Sequence, residues 1–238
     1  TRDFSHHGSD STLHLGNRLA LAERLELQTG LALVHTRRDV QVRWPQTGGR
    51  LREQDWDYAP RLGLSWQHST QTQWFGNLSR SLEAPHPWSM LWGSNQYFAA
   101  GNGPSSGRQS APVPMRSQTA TTLELGARGQ AALGQWELTG YHAHLRHELL
   151  SVELKPAPNF FIAENNASPT LHRGVEAGLD STLWQAAPGR LSLRQAYTFS
   201  DFRYRGDARF GRNRLPGLPR HAYQAELRFD HGSGLHAA

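Results

Sequence analysis

The chain has 238 residues, 25 basic against 20 acidic side chains, no cysteine and 37% apolar residues, with a negative mean hydropathy. That apolar supply is thin for the two inner faces of a soluble β-sandwich; the lack of cysteine removes disulfides, thiolate metal sites and a cysteine nucleophile; and no run approaches the roughly 20 apolar residues of a membrane-spanning helix or forms a signal peptide. The basic residues, which give a net charge of +5, are scattered singly instead of forming the clustered footprint of a nucleic-acid binder, so nucleic acid is not an expected partner.

Along the chain, hydrophobicity alternates with a period of two in stretches of about ten residues, the length of a tilted strand crossing a bilayer. Leu13, Leu15, Leu19 and Leu21 form the first apolar side, broken by Asn17 and Glu23. YAPRLGLSWQH sets Tyr58, Pro60, Leu62, Leu64 and Trp66 against Arg61, Gly63, Ser65 and Gln67, and TTLELGARGQ sets Leu123, Leu125 and Ala127 against Glu124, Gly126 and Arg128. In WELTGYHAHLRHELL the apolar side is taken as Tyr141, Ala143 and Leu145, which leaves His142, His144 and Arg146 on the polar side and His147 opposite them. LHRGVEAGLDSTLW sets Leu171, Arg173, Val175, Ala177, Leu179, Ser181 and Leu183 against His172, Gly174, Glu176, Gly178, Asp180, Thr182 and Trp184. LSLRQAYTFSDF follows with Gln195 on its apolar side, and HAYQAELRFDH sets Tyr223, Ala225, Leu227 and Phe229 against Gln224, Glu226, Arg228 and Asp230.

The joints between these stretches also alternate. Short polar ones (LQTG near 28, HSTQT near 70, ALGQ near 133, QAAPGR near 187, DHGSG near 232) take turns with longer excursions: PQTGGRLREQD, the segment from about Leu82 to Gln118, KPAPNFFIAENNASP and RGDARFGRNRLPGLPRH. Short turns at one end and long loops at the other are the habit of outer-membrane barrels. An antiparallel meander of nine or ten strands, with no helix to cover it and too few apolar residues for a second sheet, leaves lipid as the partner of its apolar face. Within hydrocarbon every backbone donor and acceptor must be paired, which for strands requires a closed wall. The expected fold is therefore an all-β, antiparallel, up-and-down transmembrane β-barrel. Trp44, Trp56, Tyr58, Trp66, Trp74, Trp136, Trp184, Tyr197 and Tyr204, near strand ends, suit its interfacial girdles.

NASPTLHRGVEAGLD, then GRLSLRQAYTFSDFRY, then GRNRLPGLPRHAYQAELRFDH, preceded by WFGNLSRSLEAP, TTLELGARGQ and WELTGYHAHLRHELL, resemble the C-terminal half of the barrel of TonB-dependent outer-membrane receptors. The resemblance spans nearly the whole chain. It implies an incomplete segment, about strands ten to nineteen of a roughly 22-stranded, plugged barrel, with residues 1–238 one partial barrel domain and the plug domain and closing strands outside this chain. Such a piece, with two bare edges and an apolar face, is expected to be unstable alone in water. The resemblance further implies a Gram-negative outer-membrane location, a TonB complex acting through the plug, outer-membrane lipid as surroundings, and uptake of a scarce nutrient such as a ferric siderophore. A passive porin or a barrel enzyme is the alternative.

By the same resemblance the Leu82–Gln118 loop is external. Its His86, Trp88, Trp92, Tyr97 and Phe98 supply aromatic area for a planar or hydrophobic ligand. His142 and His144, with Arg146 beside them, are expected to point into the lumen as further substrate contacts. No third ligand stands at metal-binding spacing from this pair, or from His6 and His7, so no metal site and no cofactor are expected. RLPGLPRH fixes a rigid turn at the base of an external loop, where Arg214 and Arg220 would face an anionic complex. No catalytic motif is present, and Glu124, Glu176, Asp180 and Glu226 are expected to pair across strands with Arg61, Arg128, Arg194 and Arg228.

Overall fold

A computed structural model describes residues 3–44, 49–92, 112, 114–155 and 161–238. The chain order is β1 (Asp3–Ala22), β2 (Leu25–Trp44), β3 (Arg50–Gln67), β4 (Thr72–Glu83), α1 (Pro87–Trp92), β5 (Gln118–Ala131), β6 (Gly134–Arg146), β7 (Leu149–Lys155), β8 (Phe161–Asn166), β9 (Thr170–Ala186), β10 (Gly189–Tyr204), β11 (His221–His231) and β12 (His236–Ala237). Ten of these strands form one antiparallel sheet in the order β1-β2-β3-β4-β5-β6-β9-β10-β11-β12, with the β7–β8 hairpin as a separate excursion between β6 and β9. The sheet is open, so β1 and β12 are edges.

Two joints differ from the sequence reading. LQTG is not a turn: it runs inside β2, where Leu27 and Thr29 pair with β1 and β3, and the chain reverses at Glu23 and Arg24 instead. PQTGGRLREQD is mostly strand, because Arg50 to Asp55 pair with β2. In LQTG the polar inner side of the strand looks like loop chemistry, and in RLREQD both sides carry polar residues because the strand has passed beyond the apolar belt.

Directly opposed residues of an antiparallel pair share a face, so the register assigns the outer wall. Leu13, Leu15, Leu27, Leu31, Leu33, Leu62, Leu64, Leu78, Leu123, Leu125, Leu138, Val175, Tyr197, Tyr223 and Leu227 all fall on one face through these pairings, and many of them are largely exposed. A soluble protein does not leave such a contiguous apolar patch open.

The belt also reveals the strand tilt. Leu62, Leu78, Leu123, His142, Arg173 and Asp201 lie in one register row from β3 to β10. The row begins at the centre of the β3 apolar stretch and ends beyond that of β10, which centres on Gln195, a slip of roughly six residues over five strand-to-strand steps. At ~3.3 Å per residue and ~4.8 Å per strand this slope is about 40°, inside the range for barrel strands. On β3, Trp56 and Trp66 then stand about 33 Å apart along the strand and ~25 Å apart along the barrel axis, the height of the hydrocarbon band.

Trp56, Tyr58, Tyr197 and Tyr223 border the belt on the long-loop side, and Trp66, Trp74 and Trp184 on the short-turn side; all are well exposed. Tyr204 is the exception: it is 5% exposed and stacks on Phe210, with ring centroids 5.1 Å apart. The side chain of Trp44 lies outside the described residues.

Beyond the belt the apolar phase inverts. On β2 the outward Leu27, Leu31 and Leu33 give way to Val34, Val40 and Val42, which are buried on the opposite face. Val40, Met90 of α1 and Met115 form a small core joined by Leu51 and Leu149. Among the described residues, α1, Met115 and Leu149 at the start of β7 therefore pack onto the polar face at the long-loop end of the sheet.

Arginine at the centre of the belt must be desolvated in hydrocarbon. Leu62→Arg is expected to destabilise the barrel by about 2–4 kcal/mol, whereas Gln130→Arg, on the polar face, should change it by less than about 0.5 kcal/mol. Denaturant unfolding of the full-length protein in lipid vesicles measures both.

Candidate functional site

The polar face lines the lumen, and its long-loop end is the best-built part of it. Arg38, 8% exposed, projects inward from β2. Its Nη1 and Nη2 donate to both carboxylate oxygens of Asp10 at 2.6 and 3.1 Å, and its Nε donates to the Pro85 carbonyl at 3.0 Å. One guanidinium thus fastens the start of the long loop to the wall, using the fork geometry that makes arginine suited to bidentate pairing.

From that anchor α1 sets an aromatic and imidazole surface against β1. Trp88 meets Phe4 edge-on at 5.2 Å, Phe4 stacks on His6 at 6.2 Å, and His6 lies 6.3 Å from His86. His86 and Trp88 are exposed, and the Trp88 amide donates to His86 Nδ1 at 3.1 Å. On β3, Glu53, Asp55 and Asp57 face the same side, opposite Arg38, Thr36 and Val34 of β2. Burial first, and then the Asp55 charge, pushes the Glu53 carboxyl above its ordinary range, against a backbone hydrogen bond from Met115. The mouth therefore offers flat π-surface at one point and carboxylates at another.

Further round the wall, Glu148 is buried at the foot of the β7–β8 hairpin. It accepts a hydrogen bond from the Thr170 hydroxyl and lies 3.3 Å from His172 Nε2. His172 stacks flat on Phe202 at 4.0 Å. This group ties the hairpin to β9 and β10. Lower in the lumen the wall is charged: Arg194 meets Asp180 at 2.8 Å, as the alternation predicts, and a concavity of about 670 Å³ includes Asp180, Arg190, Arg194, Glu226 and Arg228 among its lining residues. Arg61 donates to Asn77 at 3.0 Å and Asn77 to Glu124 at 3.0 Å, a polar rung across three strands.

The residues expected as ligand contacts divide sharply. His86 and Trp88 come together at the mouth. Trp92 ends α1 with its side chain outside the described residues, as are Tyr97 and Phe98. His142, His144 and Arg146 do not line the lumen. His142 pairs with Leu123 and Arg173, and His144 with Thr121 and Leu171, so this phase of β6 is the outer wall. Tyr141 is the lumen-facing neighbour instead, lying over Gly174, where an added Cβ would meet its hydroxyl at 2.5 Å. The reversal follows from the phase inversion: on this end of β6 the inward Ala143 and Leu145 are the buried apolar residues. His147 ends the strand with φ +54°. Arg214 also turns outward, to Asp201. Among the described residues no group of three His, Asp or Glu side chains could hold a metal ion. Phe4, Arg38, Glu148 and His172 contribute here without having been singled out, because their partners come from distant segments.

The family described as TonB dependent receptor-like, beta-barrel matches residues 1–236. No curated protein matches the chain by sequence. Among solved structures, the chain is similar to the ferric yersiniabactin uptake receptor FyuA from Yersinia pestis (15% identity, TM-score 0.63, 96% of this chain and 32% of that one). It is also similar to the copper transporter OprC (14%, 0.66, 96% and 33%) and to the ferric citrate transporter FecA (15%, 0.66, 97% and 31%). The chain thus spans about a third of the length of each, and likeness at this identity concerns the fold.

Arg38→Ala removes the anchor of the long loop but leaves Asp10, which is half-exposed, free to hydrate. The expected cost is about 1–2 kcal/mol, with faster amide exchange over residues 84–92 as the local readout. On the outer wall beyond the belt, the Arg50 hydrogen bond chiefly, helped by Arg52, lowers the Asp39 carboxyl from 3.8 to about 2. Because the folded value is the lower one, the stabilisation is complete above pH ~4 and is lost as pH falls through about 2. A carboxyl-carbon NMR titration of Asp39 should follow that midpoint, and Arg50→Gln should raise it.

Proposed function

The chain belongs to the TonB-dependent receptor family, as a part of its β-barrel, and from that premise we propose that it forms wall and mouth of a receptor that imports a scarce nutrient, most naturally a ferric siderophore, driven by TonB. Members of this family are barrels of the Gram-negative outer membrane and are transporters and receptors, not enzymes; the apolar belt fits that location. The open sheet edges call for further strands of the same barrel. A plug in the lumen, outside residues 1–238, would carry the contact with the TonB complex, and the charged lower lumen wall is a suitable surface for it.

One observation carries the ligand reading: Arg38 fastens the start of the long loop at Pro85, which sets Trp88 and His86 beside Phe4 and His6 at the lumen entrance. A flat aromatic and imidazole surface suits the rings of an organic chelator, since aromatics give large contact area at low entropic cost. Similar structures are named for ferric yersiniabactin, ferric citrate and copper, which favours a metal complex as cargo. A passive pore narrowed at this entrance by α1 is the second reading.

Uptake of the ferric complex by cells carrying the full-length protein is expected to stop when the inner-membrane gradient is collapsed, and uptake that persists would favour the pore. Trp88→Ala is expected to weaken ligand binding about tenfold, on the order of 1.4 kcal/mol, with the barrel still assembled, as read by ligand titration of the purified receptor.

A further inference from the structure

Immediately beyond the belt on β6, β9 and β10, the outer wall turns cationic. His142, Arg173 and Asp201 occupy one register row, and His144, Leu171 and Arg203 the next. Asp201 is 2% exposed because three guanidiniums cover it: Arg173 Nη2 at 2.8 Å, Arg203 Nε at 2.9 Å and Arg214 Nε at 3.5 Å. These arginines remain 54%, 40% and 38% exposed. One carboxylate against three guanidiniums leaves an excess of two positive charges, and Asp201 is the only acidic side chain in the two rows. His144 reports the same field: burial first, then Arg205 and Arg146, lowers its pKa, and Arg205 Nη1 lies 2.7 Å from its Nε2.

A purely structural ion pair needs one arginine. Here the surplus donors stand outside the barrel, where no lumen ligand reaches, and directly above Val175 and Phe199 of the belt. That is the depth of lipid headgroups, where clustered basic residues attract anionic lipid. The design recurs elsewhere on the same face: Asp39, 13% exposed, is held by Arg50 at 2.6 Å and Arg52 at 3.2 Å, past the His35–Trp56 pair that borders the belt.

We infer that Arg173, Arg203 and Arg214 form a dock for the phosphate-bearing headgroup of an outer-leaflet lipid, with Asp201 holding their guanidiniums in a fixed fan. Planar guanidiniums bind phosphate bidentately, and the carboxylate orders them before the lipid arrives. The dock depends on the belt and on which end of the barrel faces outward; it does not depend on the cargo, so it can fail while uptake stands.

The test uses the full-length protein in neutral detergent, titrated with lipid A carrying its phosphates and with the dephosphorylated lipid, and followed by native mass spectrometry. The parent is expected to retain the phosphorylated lipid selectively. R173Q/R203Q should weaken that retention by about tenfold or more, since charge-assisted bidentate contacts are lost. D201N, which keeps all three arginines and removes the opposing charge, should retain at least half the parent affinity. Equal retention of the two lipids, parent-like binding by R173Q/R203Q, or displacement of the lipid by equimolar inorganic phosphate would each overturn the dock. A loss in D201N as large as in R173Q/R203Q would also overturn it, by making the cluster a structural network only.

Discussion

The structure depends on one constraint: the outer face of this sheet is solvated by hydrocarbon. A wall in that medium cannot leave peptide groups unpaired, which explains the unbroken antiparallel ladder from β1 to β11 and the exile of irregular chain to the two ends. It also explains the composition. A barrel needs an apolar layer only one side chain thick, so a 37% apolar chain suffices where a sandwich would starve. The roughly 40° slope of the belt across the register follows from the same constraint, since strands that close a barrel must tilt while the bilayer stays level.

How much of this was legible depended on whether a single medium bathed each face. On β3, β5 and β11 the answer is simple: Tyr58 to Trp66, Leu123 to Ala127 and Tyr223 to Phe229 alternate cleanly because hydrocarbon touches one side and water the other. On β6 the strand passes out of the bilayer midway. Below that point Leu138 is outward and apolar; above it Ala143 and Leu145 are inward, apolar and buried. Taking Tyr141, Ala143 and Leu145 of the upper half as the lipid-facing side sends His142, His144 and Arg146 into the lumen, whereas Leu138 of the lower half carries the outer phase. Tyr204 was misplaced for the same reason.

The mouth was legible only in part. Trp88 and His86 announced themselves as aromatic residues in a long loop. Their partners did not, because Phe4 and His6 come from the far end of the chain and Arg38 reads as one more polar residue of an alternating strand. Glu148 and His172 meet only because the β7–β8 hairpin returns the chain to β9. Local pattern thus fixes which face a residue takes, while the site is made by which strands the topology lays side by side. The charges on the outer wall belong to the same logic: beyond the hydrocarbon the outward phase is free to be polar, and arginine is what stands there.

The central claim is that the two faces of one strand meet lipid and water. It is tested most directly with single cysteines, placed one at a time at residues 122–128 of β5 in the full-length protein, spin-labelled and reconstituted in lipid vesicles. Accessibility to oxygen should peak at 123, 125 and 127, and accessibility to a water-soluble nickel chelate at 124, 126 and 128. Labels that show no alternation, or that are shielded from both reagents at every position, would contradict the account.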